Sequence, residues 1–239
     1  KDKKSIADQD SPIADISESE KAFSERAGKK IELAPSKKKA VAPTGKDSDD
    51  LQEAGAREAI ELYKGLLKKY PLFERNDQVL YQLSRAYEEV GEIDNAMKTL
   101  EQLISQYPQS RHINEAQFRR AENFFVRKKY LDAEESYMAV IAAGEGTGFY
   151  ELALYKQGWA FFKQDMYEEA LKDFIRMLDY KIDNGYELEN IENKIERKRI
   201  EDTYRVISLS FSYLGGADAI VEFFDKHGHR FYEASIYSH

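Results

Sequence analysis

Two histidines one residue apart, His227 and His229, have a spacing found in metal sites. No third ligand falls at a useful distance along the chain, and Gly228 between them marks a turn, so a solvated loop is expected there. The glycines of Gly144-Glu145-Gly146-Thr147-Gly148 would let a backbone approach a phosphate. No strand pattern precedes them, however, and the dinucleotide spacing is not met, which leaves a long turn. The acidic pairs Glu134-Glu135 and Glu168-Glu169 have lysines nearby and read as solvated helix faces. Cysteine is absent, which removes thiol nucleophiles, disulfides and cysteine metal sites. No Ser/His/Asp or His/Glu set recurs at a workable spacing, so no enzyme, metal or cofactor is expected. A formal charge of −8 argues against a phosphate-backbone partner. No run approaches the roughly 20 apolar residues of a membrane helix.

What remains for binding is a set of aromatic residues, 13% of the chain, and the elements that must position them are repeated. Ala59, Ala96, Ala133 and Ala170 stand 37 residues apart (59 to 96, 96 to 133, 133 to 170). Each is followed four positions later by a large apolar residue: Tyr63, Leu100, Tyr137 or Phe174. Pro71 and Pro108 keep the same step, and so does the column Tyr81, Phe118 and Tyr155. Several columns in phase define a repeat array. Within each period one helix carries a small residue (Ser84, Ala121, Gly158) that lets the second approach closely. Gly91 suits the turn between them, where a left-handed backbone is cheap for glycine. Pairs are predicted at 77–90/93–107, 114–127/130–143 and 151–164/167–180, preceded by a lone second helix near 51–70.

The stretch LYQLSRAYEEVGEIDNAMKTLEQLISQYP resembles a tetratricopeptide repeat, with Leu80, Leu83, Ser84, Tyr87, Gly91, Ala96, Leu100, Leu103 and Pro108 in that family's slots. The copies at 114–143 and 151–180 resemble it too, although Gln117, Arg120 and Gln157 put polar groups in apolar slots. The resemblance implies an all-α, right-handed superhelical solenoid of antiparallel helix pairs whose first helices line a concave groove. It also implies a protein or peptide ligand. The slots that hold Lys and Asn in carboxylate-clamp relatives carry Tyr81, Arg85, Arg119, Leu152 and Lys156, so a chaperone-tail receptor is not expected. The repeat step and the ending Tyr107-Pro108-Gln109-Ser110 resemble bacterial envelope relatives, the BamD-type and Tol-associated proteins, which implies a periplasmic or outer-membrane-associated location.

In this register Gln78, Tyr81, Arg85, Glu88 and Glu89 face the groove from the first pair. Glu115, Phe118, Glu122, Phe125 and Val126 follow from the second, and Leu152, Tyr155, Trp159, Phe162 and Lys163 from the third. The expected partner-binding residues are Tyr81, Arg85, Phe118, Glu122, Phe125, Tyr155, Trp159 and Phe162. Trp159, next to the small Gly158, is expected to rotate towards the groove. The other reading of the Tyr81–Phe118–Tyr155 ladder is packing between neighbouring first helices. Residues 1–47 are charged and poor in large apolar side chains and are expected to be flexible. Ala22 and Phe23, with Ile13 and Ile16, could instead form a weak amphipathic helix before Gly28. Repeats fill 48–181, and 182–239 holds a charged insertion, a degenerate repeat and the start of another. The functional expectation is an interaction scaffold in an envelope assembly. The alternatives are a self-associating array and a regulatory module of a larger enzyme.

Overall fold

The computed structural model describes residues 19–31, 33, 46–188 and 190–238, and among these every regular element is a helix. Helix α1 is Glu20–Ala27 and α2 is Lys46–Lys69. Three antiparallel pairs follow: α3 (Asn76–Glu89) with α4 (Ile93–Gln106), α5 (Ile113–Val126) with α6 (Tyr130–Ala142), and α7 (Tyr150–Phe162) with α8 (Tyr167–Asp183). Then come α9 (Lys194–Leu214), α10 (Ala217–His227) and the short α11 (Glu233–Tyr237). Each helix from α2 to α9 packs on the next in the chain, as in a tetratricopeptide solenoid.

The repeat columns explain the packing. Ala96, Ala133 and Ala170 have no exposed surface, and neither do Leu100, Tyr137 and Phe174 four residues on. Gly158 is the clearest case of required smallness: a Cβ there would stand 2.9–3.1 Å from ring carbons of Phe174. The turn inside each pair uses one left-handed residue: Gly91 (φ 73°), Lys128 (φ 59°) and Asp165 (φ 59°), again 37 residues apart (91 to 128, 128 to 165). Only the first copy supplies the glycine that this conformation favours.

Beyond α8 the expectation of a charged insertion is corrected in part. Residues 194–199 form the first turns of α9, and their charges serve packing. The buried Lys181 ammonium pairs with Glu151 at 2.9 Å and with Glu196, while Arg199 lies 3.1 Å from Glu196. Leu188 and Ile191, in the loop before α9, enter the main core.

Candidate functional site

Helix α1 lies against α5, α7 and α9, on the side of the array formed by the first helices. Its start is capped by Ser19, whose Oγ accepts from the Ala22 N–H at 3.2 Å. Phe23 has no exposed surface. Its ring lies 5.7 Å from that of Trp159, with the Arg205 guanidinium 4.2 Å from its centroid on α9. Trp159 is in turn edge-on to Phe162 at 5.5 Å, Phe174 at 6.0 Å and Tyr155 at 6.4 Å. Burying a phenylalanine in this way contributes roughly 1.5–3 kcal/mol to docking.

The polar contacts fix the direction of α1. A helix ends with carbonyls that have no intrahelical donor and that carry the negative end of its dipole. Here the Ser24 carbonyl also accepts from the Gly28 N–H at 3.3 Å, and the groove adds donors to carbonyls at and just past that end. Lys163 Nζ donates to the Ser24 carbonyl at 3.0 Å and to its hydroxyl. The Tyr155 hydroxyl donates to the Ala27 carbonyl at 3.2 Å. Lys156 Nζ donates to the carbonyls of Gly28 at 3.2 Å and Lys29 at 2.9 Å. On the flank, Arg26 donates to both carboxylate oxygens of Asp202, at 2.7 and 3.0 Å. At the other end Glu20 accepts from the Tyr213 hydroxyl.

Lys156 is fully buried. Its ammonium sits 3.4 Å from Glu122 and 3.9 Å from the centre of the Phe125 ring. Burial lowers its pKa, with Glu122 opposing. Glu122 also accepts from the Tyr137 hydroxyl and from the Ile31 N–H. Burial, reinforced by that carboxylate, pushes the Tyr137 hydroxyl well above its ordinary value. Lys163 is lowered by burial too, with Glu25 opposing.

Towards α2 the same side of the array is different. A cavity of about 810 Å3 lies between α2, α3 and α5, lined by Ala56, Tyr63, Ala86, Arg85 and Arg119 and bordered by Lys30, Ile31 and Leu33. Its cations are paired within the array: Arg119 with Glu88 at 2.7 Å and Glu115 at 2.8 Å, Arg85 with Glu115 at 3.7 Å.

Of the eight residues expected from sequence, Glu122, Phe125, Tyr155, Trp159 and Phe162 come together beneath α1. Trp159 reaches the groove floor as expected but is fully covered. Tyr81 and Arg85 belong to the other half, where the Tyr81 ring stacks on His112 at 4.1 Å and its hydroxyl accepts from Arg85 at 3.1 Å. Phe118 corrects the ladder. It is fully buried against Tyr137 of α6 and Phe149, at 5.7 and 5.5 Å. A repeat column fixes a residue's place on its helix, but here the turn before α7 brings Phe149 onto it.

The tail expectation also fails for residues 20–31; Ile13 and Ile16 lie outside the described residues. Composition misled because α1 buries one large apolar side chain and is otherwise held through its main chain and the polar side chains of Glu20, Ser24 and Arg26, none of which shows in a hydropathy pattern. Sequence reasoning placed Lys156 at a groove slot without counting it among the binding residues, and it missed Asp202. Lys156 had a signal, being the one charged residue in the stretch LALYKQGWAFF. The histidine pair and the glycine-rich turn close on themselves. His227 Nδ1 meets the Phe223 carbonyl at 2.9 Å, His229 sits near Asp225 and Glu233, and Thr147 bonds back to Gly144. No group of three metal-ligating side chains occurs among the described residues.

The model for the tetratricopeptide repeat matches residues 78–110 and 152–180. Solved structures of the same fold include MamA, 20% identical with a TM-score of 0.52, covering 77% of this chain and 93% of that one. BtubC from P. vanneervenii is 15% identical with a TM-score of 0.53, covering 80% and 77%. TPR-like repeats described as a kinesin light chain, from Podosopora anserina, are 14% identical with a TM-score of 0.51, covering 78% and 89%. No curated protein sequence matches the chain. Two segments of the chain thus match tetratricopeptide repeats, and its fold is the all-α solenoid of tetratricopeptide-repeat structures.

Proposed function

We propose that the groove of α5, α7 and α9 holds a short amphipathic helix of a protein ligand, and that α1 is a resident copy of such a ligand. One observation carries this reading: Phe23 is fully buried on Trp159 while carbonyls at and just past the end of α1 are bonded by Tyr155, Lys156 and Lys163. An amphipathic helix laid in an apolar groove is a recurring mode of peptide recognition. The reading is tested with a fluorescent peptide of residues 19–33 added to the intact chain carrying Phe23→Ala, which loosens the covalently attached competitor. Saturable binding is expected, about tenfold or more tighter than to the wild-type chain, whose own α1 competes at an effective concentration on the order of millimolar. A folded variant that does not bind the peptide at millimolar concentration sinks the proposal.

The setting we propose is a bacterial envelope assembly. This rests on the repeat step and the Tyr107-Pro108-Gln109-Ser110 ending. Among the described residues no single helix is long and apolar enough to cross a membrane. Fractionation of the native cell tests it: recovery with periplasm or outer membrane is expected, and recovery solely with cytosol contradicts it.

A further inference from the structure

Resting on that reading, we infer that the groove recognises the carbonyl end of its ligand's helix. Its partner is then a segment of another protein in which a short helix carries a Phe, an Arg three residues later and a Gly two beyond that. In α1 these are Phe23, Arg26 and Gly28.

Polarity supplies the first argument. The groove's donors, Lys156, Lys163 and the Tyr155 hydroxyl, cluster at one end of α1, and all three bond main-chain carbonyls there. A helix laid in reverse would point its free N–H groups at two ammonium groups, leaving both sides without acceptors. The flank supplies the second. Phe and Arg three apart share one helix face, and here one enters the aromatic floor while the other meets Asp202 through both its oxygens. Space supplies the third. At Gly28 a Cβ would stand 2.9 Å from the Ser24 carbonyl oxygen, 3.6 Å from the Lys163 stem and 3.7 Å from Phe125. The tight contact is with the segment's own carbonyl, so glycine lets the chain turn there and present the Gly28 and Lys29 carbonyls to Lys156, while against the groove a Cβ would make only ordinary van der Waals contact.

The occupant is a foreign segment for a reason of competition. A second copy of this chain offers only the contacts α1 already makes, and loses to the attached α1 at its high local concentration. A foreign segment can outbind α1 where the residues after its equivalent of Leu33 suit the cavity of about 810 Å3 between α2, α3 and α5, with Ala56, Tyr63 and Ala86 on its walls.

The test uses the intact Phe23→Ala chain and the 19–33 peptide, read by fluorescence anisotropy. Peptides with Arg26→Ala or Gly28→Ala should each bind about tenfold weaker. Adding Lys163→Met to the chain should weaken the unaltered peptide by about as much. Asp202→Arg should abolish preference for the unaltered peptide and favour one carrying Arg26→Asp. If the unaltered peptide fails to bind, the proposed function fails. If it binds but is indifferent to all of these changes, the groove is a general apolar-helix site and this inference alone is overturned. Concentration-dependent dimerisation of the wild-type chain that Phe23→Ala abolishes would also overturn it, since a second copy would then be the occupant.

Discussion

The two halves of the inner face are built on opposite plans. Under α1, the floor is aromatic, and its cations reach acceptors on the docked segment, Lys163 on Ser24 and Lys156 on Gly28 and Lys29, with Glu122 of the array also beside Lys156. Towards α2 the cavity is ringed by charges that already have carboxylates within the array, Arg119 with Glu88 and Glu115, Arg85 with Glu115. A buried charge is tolerated only with a partner. On the proposed function, polar groups whose partners lie outside their own helical layer mark the α5–α7–α9 half as the specific one, and the other half offers room.

The largest contrast should come from truncating each half's aromatic. Trp159→Ala removes a fully buried ring from the main core and should cost about 3–5 kcal/mol in urea denaturation. Tyr63→Ala, at the half-buried wall of the open half, should cost below about 1.5 kcal/mol. Equal losses would break the comparison. Trp159 therefore cannot report binding separately from folding, which its expected exposure had suggested.

A pH series should sharpen it next. Behind the occupied half, Asp173 of α8 has its Oδ2 buried without a hydrogen-bond partner, and burial pushes its pKa up from 3.8 to about 7, with Arg176 opposing and Glu134 reinforcing. The folded state holds this proton more tightly than the unfolded chain. Its contribution is thus fully present below about pH 4 and lost as pH rises towards 7. Asp173→Asn should match the wild type at about pH 4 and exceed it at about pH 8, by about 2–4 kcal/mol, a tenfold change in proton affinity being worth roughly 1.4 kcal/mol. A parallel pH dependence in the two proteins would contradict this.

Smaller effects probe the repeat geometry itself. Gly158→Ala drives a methyl against Phe174 and should cost about 1–3 kcal/mol, seen as a lower melting temperature. Lys128→Gly places the favoured residue at a left-handed turn (φ 59°) and should raise stability by up to about 1 kcal/mol. A fall in stability there would show that the Lys128 side chain matters more than its backbone.

How much was legible follows from the kind of signal each region carries. The helix pairs were readable because close packing makes the same demand in every copy, as the alanines and the large apolar residues four positions later show. The left-handed turn was readable only at Gly91; Lys128 and Asp165 adopt the same conformation because the pair geometry imposes it. Trp159, Phe125, Tyr155, Phe162 and Glu122 were legible from register. Lys156 was legible as a groove slot but its role was not, and Asp202 was not legible at all, because their partners are carbonyls and an arginine on a segment whose composition suggests a tail. Phe118 was misplaced because a neighbouring turn, not its own helix, decides what covers it.

The central claim is that α1 is seated in the groove in the free protein, and hydrogen–deuterium exchange across residues 20–31 tests it most directly. In the wild-type chain these amides should be protected well beyond an isolated peptide. Phe23→Ala should remove that protection while α7 and α9 keep theirs. Exchange of residues 20–31 at peptide rates in the wild-type chain, with α5, α7 and α9 protected, would contradict the account.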